Sequence, residues 1–391
     1  MIELRGSTWE HPRGWGGVRA TATAFSRERP DVRVSWDVRT LQAFADHPVE
    51  ELAAAYDLIV LDHPSIGAAV EAGALSPLDE HVDASFLHEQ ASSSVGRSHE
   101  SYGWDGHPWA LAIDAAAQVA AFRPDLLARA EVDVVPRTWE DVIAASAALR
   151  AHGLAVAIPA IPIDAICAFL GTCRSSGMDP FLTEERVVSR DVGRAALQVL
   201  RDVVVRSHPA SLTSNPPAIL DRMANGDEIG YVPLAFGYAN FGRAGFAAHA
   251  LRYAAGPVGA AEVPSGTLGG AGLAVSASSA NMEAACAYAA FTAAPEVQRT
   301  VYVEGGGQPA HRSAWTDPAV NGSAGGFFAD TLDALDAAYL RPRDDGFLDF
   351  QEEAGDVVHR FLRDGGDADA VLEALDASYR ATVGTRAEVE R

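Results

Sequence analysis

Tyr56-Asp57-Leu58-Ile59-Val60-Leu61-Asp62-His63-Pro64-Ser65 holds a short apolar run between polar ends. Such a run, without alternation and too brief for a helix, predicts a parallel strand buried on both faces. Just upstream, Leu52 to Ala55 end a helix, and before it Val32, Val34 and Trp36 alternate as a second strand. Val18, Ala22 and Phe25, spaced i, i+4 and i+7, predict a helix that stops at Pro30, whose ring and missing N–H prevent continuation. Ile2 and Leu4 open the first strand. The sum is a βαβαβ unit, hence an α/β protein with a doubly wound sheet, in which ligands sit beyond the carboxyl ends of the strands. That rule selects three loops: Thr8 to His11, Asp37 to Arg39 and Asp62 to Ser65.

The chain has 391 residues, enough for two lobes that each bury a core. Its formal charge of -23 repels phosphate backbones and anionic headgroups, so nucleic-acid and polybasic membrane roles are not expected. No lysine occurs; all 30 basic residues are Arg. A Walker lysine, a pyridoxal Schiff-base lysine and a protein-kinase lysine are thereby excluded. Cys167, Cys173 and Cys286 are odd in number and lack C-x-x-C spacing, so neither a disulfide framework nor a Cys-rich zinc site is expected. The most apolar internal run, 155–171, is interrupted by Pro159, Pro162 and Asp164, which argues against membrane insertion. Met1 leads directly into Ile2-Glu3-Leu4 without the features of a signal peptide. The expected location is cytoplasmic as the sequence stands, or extracellular or periplasmic if Met1 is an engineered mature start.

Further on, Thr138 reads as a helix cap with Asp141 at the third helical position, Val142, Ala145 and Leu149 on one face, and Gly153 as the stop. Ile229 to Val232 predict a strand. Gly266 to Gly272 read as a glycine-rich loop that feeds a strand, Leu273 to Val275, with a helix only afterwards, near 281–292. A phosphate-binding loop must lie between strand and helix, so this order argues against one. Two helices, 357–362 and 368–379, close the chain. Serine-hydrolase chemistry has no support, because Ser94, Ser211 and Ser265 lack the Gly-x-Ser-x-Gly setting.

Six segments in order resemble the family 1 extracellular solute-binding proteins, the periplasmic-binding-protein-like receptors of ABC importers. They are FSRERPDVRVSWD (25–37), YDLIVLDHPSIGAAVEAGALSPLDEHVD (56–83), SYGWDGHPWALAIDAAAQVAAFRPDLL (101–127), VPRTWEDVIAASAALR (135–150), MANGDEIGYVPLAF (223–236) and GTLGGAGLAVSASSANMEAACAYAAFTAAPEVQRTVYVEGGGQPAHRSAW (266–315). The resemblance implies a two-lobed type II fold, each lobe a doubly wound sheet with flanking helices. Expected boundaries are 1–112 and 254–312 for the first lobe, and 113–253 and 313–391 for the second. It also implies a small polar organic ligand, sugar-like or a carboxylate, held in an inter-lobe cleft by hinge closure. Importer membrane subunits are the expected partners if the chain is exported; no cofactor and no metal are expected.

Carried over residue by residue, the resemblance suggests Trp9, Glu10, His11, Asp37, Asp62, His63, Asp114, Gln118, Tyr238, Asn240, Gly269, Gly270 and Arg312 as ligand-binding positions. Aromatic faces would stack on the ligand while carboxylates and Arg take its polar groups. Trp36 and Trp139 are expected in the core. Glu10-His11 and Asp62-His63 set two acid–histidine pairs at the ends of adjacent strands, which keeps an alternative open. A cytoplasmic lyase, isomerase or cyclase on this fold would use His11 or His63 as base, with Asp62, Glu10 or Asp114 orienting or protonating. A bland reading of the same pairs is that they cap local helices.

Overall fold

In the computed structural model, which describes residues 1–40, 49–181, 183 and 186–384, the run Leu58–Leu61 is a fully buried strand. The first elements follow the βαβαβ order: β1 (Ile2–Trp9), α1 (Pro12–Glu28), β2 (Val32–Arg39), α2 (Val49–Ala55) and β3 (Leu58–Leu61). β1 pairs in parallel with β2 on one side and β3 on the other. Two later strands complete this sheet. β4 (Ala110–Phe122) and β8 (Leu268–Val275) extend it in the order β2-β1-β3-β8-β4, with β8 antiparallel to β3.

The chain divides into two compact units. The first comprises 1–116, 269–322 and 342–345, and the second 117–268, 323–341 and 346–391. In the first, Leu4, Val18, Phe25, Trp36 and Val60 pack with Leu273 and with Tyr288 of α6 (Met282–Ala293). Trp9 is also in this core, 4 % exposed. It lies over Gly14 of α1, where a side chain would meet the indole.

The glycines at 269, 270 and 272 belong to strand β8, which starts at Leu268, and not to a loop ahead of it. They let the strand pass close to its neighbours. A Cβ on Gly272 would come within 2.6 Å of the Tyr102 ring. Gly270 has φ +119°, and a Cβ there would collide with the Asp114 carbonyl oxygen. Gly270→Ala should therefore cost about 1–3 kcal/mol of stability, read as a fall in thermal midpoint. An unchanged midpoint would show that β8 relaxes freely at this point.

In the second unit, the latter part of β4 pairs antiparallel with β6 (Ile229–Phe236) and with β7 (Arg252–Ala254), and β5 (Ala155–Val156) lies parallel on β6. Thr138 and Asp141 form the expected capping box of α3 (Trp139–Ala151), satisfying two backbone donors at once. Trp139 is buried beneath this helix start. α4 (Pro162–Ser175), α5 (Arg190–Val204) and α7 (Phe347–Asp364) share the unit's own core. α7 is far longer than the six residues its sequence pattern suggests. It presents Phe347, Phe350, Ala354, Val358 and Phe361 along one stripe. Among the described residues no helix is long and apolar enough to cross a membrane.

Candidate functional site

The carboxyl end of β1 leads into α1 through Glu10 and His11. Glu10 is exposed, and its N–H donates to the Arg39 carbonyl (2.7 Å), tying the ends of β1 and β2 together. His11 takes extended backbone angles as the N-cap, and its Nδ1 accepts from the Arg13 N–H at 3.0 Å. Burial, aided by the Arg13 charge, lowers the His11 pKa to about 3, so the ring is neutral at pH 7. Pro12 follows at the first helical position, where its missing N–H costs nothing.

Arg13 comes next, in the first turn of α1, where the helix dipole disfavours a cation. Its guanidinium is held by a buried carboxylate. Nε donates to Asp114 Oδ2 at 2.8 Å and Nη2 donates to Oδ1, a bidentate pair between side chains 5 % and 0 % exposed. Burial pushes the Asp114 carboxyl up and Arg13 opposes it, while the Asp62 charge pushes the same way as burial. Gly270 passes directly over the Asp114 backbone, and the buried Tyr302 feels the Asp114 charge, which adds to the effect of burial in raising its phenol. The backbone beyond Asp114 is fixed by Gln308, whose Nε2 donates to the Ala115 carbonyl at 2.8 Å.

Asp62 caps the short turn His63–Ser65: its Oδ1 accepts from the His63 N–H at 2.8 Å and lies 3.0 Å from His63 Nδ1. The Asp62 side chain stays 38 % exposed while His63 is fully buried. Both acid–histidine sequences thus serve capping in part, as the bland reading held. Among the described residues no group of three His, Cys, Asp or Glu side chains gathers as metal ligands would.

In the first unit, Arg13, a residue the sequence reading passed over, lies beside His11 and is bonded to Asp114, over which Gly270 passes and whose carboxyl feels the Asp62 charge. Other candidates stand elsewhere. Trp9 packs in the first unit's core. Asp37 turns onto the sheet face, where Arg5 Nη2 donates to it at 2.9 Å and Tyr56 bonds to it as well. Arg312 reaches the Ser94 carbonyl at 3.4 Å. Gly269 lies buried within β8.

In the second unit, Gln118 is 2 % exposed, and its Oε1 accepts from the Thr267 N–H (3.2 Å) and hydroxyl (3.0 Å). It is a staple between β4 and the approach to β8. Tyr238 and Asn240 lie on the buried turn after β6, where the Tyr253 hydroxyl donates to the Tyr238 carbonyl at 2.8 Å.

The profile of the bacterial extracellular solute-binding protein family matches residues 20–328. No curated protein matches the chain in sequence. Among solved structures, maltose-bound MalE3 of T. maritima superposes with TM-score 0.82 at 20 % identity, over 97 % of this chain and 100 % of that one. The acarbose-binding GacH receptor of Streptomyces glaucescens gives 0.80 at 19 %, over 98 % of each chain. A ribitol-bound ABC transporter solute-binding protein of Agrobacterium radiobacter K84 gives 0.80 at 19 %, over 97 % and 98 %. These likenesses show the two-lobed fold of such receptors, and the profile match spans well over half of the sequence. The chain belongs to the bacterial extracellular solute-binding protein family.

Proposed function

We propose that this chain captures a small polyhydroxylated solute, a sugar or a polyol, outside the cytoplasm and delivers it to the membrane subunits of an ABC importer. The observation that supports this most is the family match over residues 20–328. The named ligands of structural relatives, maltose, acarbose and ribitol, belong to one chemical class. On the first unit, the half-exposed Asp62 and the exposed Glu10 would accept hydrogen bonds from hydroxyls, and Arg13, held in place by Asp114, would donate. Tyr238 and Asn240 would be the second unit's contribution, and capture would proceed by hinge closure. Carboxylates suit this ligand because each accepts from more than one hydroxyl, and charged hydrogen bonds are stronger than neutral ones.

A thermal-shift and calorimetric panel of maltose, ribitol, mannitol and tagatose tests the reading. At least one should raise the melting temperature by mass action and come back unchanged by mass spectrometry. Asp62→Ala should then weaken binding about 10- to 100-fold, the loss of a charged hydrogen bond. No stabilisation by any sugar or polyol, with clear stabilisation by a carboxylate ligand, would overturn the assignment of substrate class.

A further inference from the structure

β2 ends the first unit's sheet. It pairs with β1 on one side, from Ile2 opposite Val32 to Trp9 opposite Arg39, and among the described residues no strand pairs with its other edge. The Ile2 N–H donates to the Asp31 carbonyl and the Glu10 N–H to the Arg39 carbonyl. In a parallel ladder this parity turns the backbone groups of 31, 33, 35, 37 and 39 toward β1, and those of Val32, Val34, Trp36 and Val38 toward the open edge. Along that edge runs an open groove of about 430 Å³, lined by Arg19, Thr23 and Ser26 of α1 and by residues 33–36.

The side chains at the inward-bonded positions read Asp31, Arg33, Ser35, Asp37, Arg39. This order is its own complement when reversed. If a second copy pairs antiparallel through a two-fold at Ser35, Asp31 faces Arg39 of the copy, Arg33 faces Asp37, and Ser35 faces itself. The same register sets Val34 opposite Trp36, so the outward N–H and C=O groups form the hydrogen-bonded pairs. The charged residues then occupy the non-hydrogen-bonded pairs, where Cα atoms approach to about 4.5 Å and side chains lie closest. Neighbouring registers do not share this. A two-fold at Val34 sets Asp31 against Asp37, and one at Trp36 sets Arg33 against Arg39.

Charges on an edge strand ordinarily keep other strands away. Here they repel the two neighbouring registers and favour the one centred on Ser35, which pairs all four charged residues. Arg5 already lies on Asp37 and Arg29 on Asp31, 2.9 Å away in each case, so each carboxylate would join two guanidinium groups. Arg33 is exposed and has no ion pair among the described residues. We infer that the open edge of β2 is a self-association surface, by which two copies of this chain join their first-unit sheets into one antiparallel continuation.

Sedimentation velocity on the full chain at low salt, from sub-micromolar to the highest soluble concentration, tests this. The parent chain should pass from monomer to dimer as concentration rises. Arg33→Asp and Asp37→Arg each place like charges opposite one another in the homodimer, and each variant alone should remain a monomer with a parent-like circular dichroism spectrum. Mixed in equal amounts, the two variants should form a heterodimer, because each then faces the opposite charge on the other. A parent chain that stays monomeric at every concentration overturns the inference. So does a dimer that both variants keep, or a mixture that fails to recover it.

Discussion

Replacing Arg13 by methionine should lower the unfolding free energy by about 3–5 kcal/mol, because it leaves the Asp114 carboxylate buried without its counter-charge. Asp114→Leu should cost a similar amount by stranding the guanidinium. For units of this size each kcal/mol moves the melting temperature by about 2–4 °C, so either loss is read easily by calorimetry. The double variant, Arg13→Met with Asp114→Leu, should recover much of the combined loss, since two apolar side chains of similar volume can replace a buried pair at little cost. Strict additivity of the two single losses would show that the pair is uncoupled. Solute binding should fall in all three variants if Arg13 meets the ligand. Retained binding in the double variant would confine the pair to holding α1 against β4.

The second large effect concerns Asp164, at the third position of α4. Its carboxyl is 3 % exposed, Oδ2 has no hydrogen-bond partner among the described residues, and burial raises its pKa to about 7, with Arg341 opposing. Arg341 is itself buried, its Nη1 donating to Gln351 of α7 at 2.6 Å. A folded-state pKa above the unfolded one means the fold binds the proton more tightly. The stability gained this way is full below about pH 4 and is lost as pH rises through about 7. Asp164→Asn should remove that dependence. Relative to the parent, the variant should gain up to about 4 kcal/mol between pH 4 and pH 8, measured by urea unfolding across the series. A difference between the two chains that does not change with pH would mean that Asp164 remains charged in the fold.

What could be read in advance follows from how each feature writes itself into the sequence. The β1 to β3 order was legible because apolar side chains repeat with the period of the element that carries them. Thr138 and Asp141 announced their helix because capping chemistry is local, three residues apart. The start of β8 was not legible: Gly269, Gly270 and Gly272 have no side chains to show a period, and the same absence lets that strand run close to Asp114 and Tyr102. Arg13 escaped for a different reason. Its partner lies 101 residues away, and no local pattern records such a meeting. One signal was present, a cation in the first turn of a helix, which the backbone dipole opposes and which therefore needs a partner from elsewhere. The burial of Trp9 was not legible either, since an aromatic at a strand end does not announce the space that Gly14 makes for it in the core. Gln118 likewise looked like a ligand contact, yet its carbonyl is spent on Thr267, a bond to a residue far along the chain.

The position of β8 between β3 and β4 sets a timetable for synthesis. β3 and β4 have been synthesised by residue 122, but the strand that joins them into one sheet is complete only at residue 275. At about 5–20 residues per second, that interval lasts roughly 10–30 s. For its whole length the nascent first unit carries two strand edges awaiting a partner, while the residues emerging belong mostly to the second unit. Unpaired edges invite other chains. The order of this fold thus makes the half-made protein more vulnerable to aggregation than the finished one, and a chaperone that shields strands would act in that window.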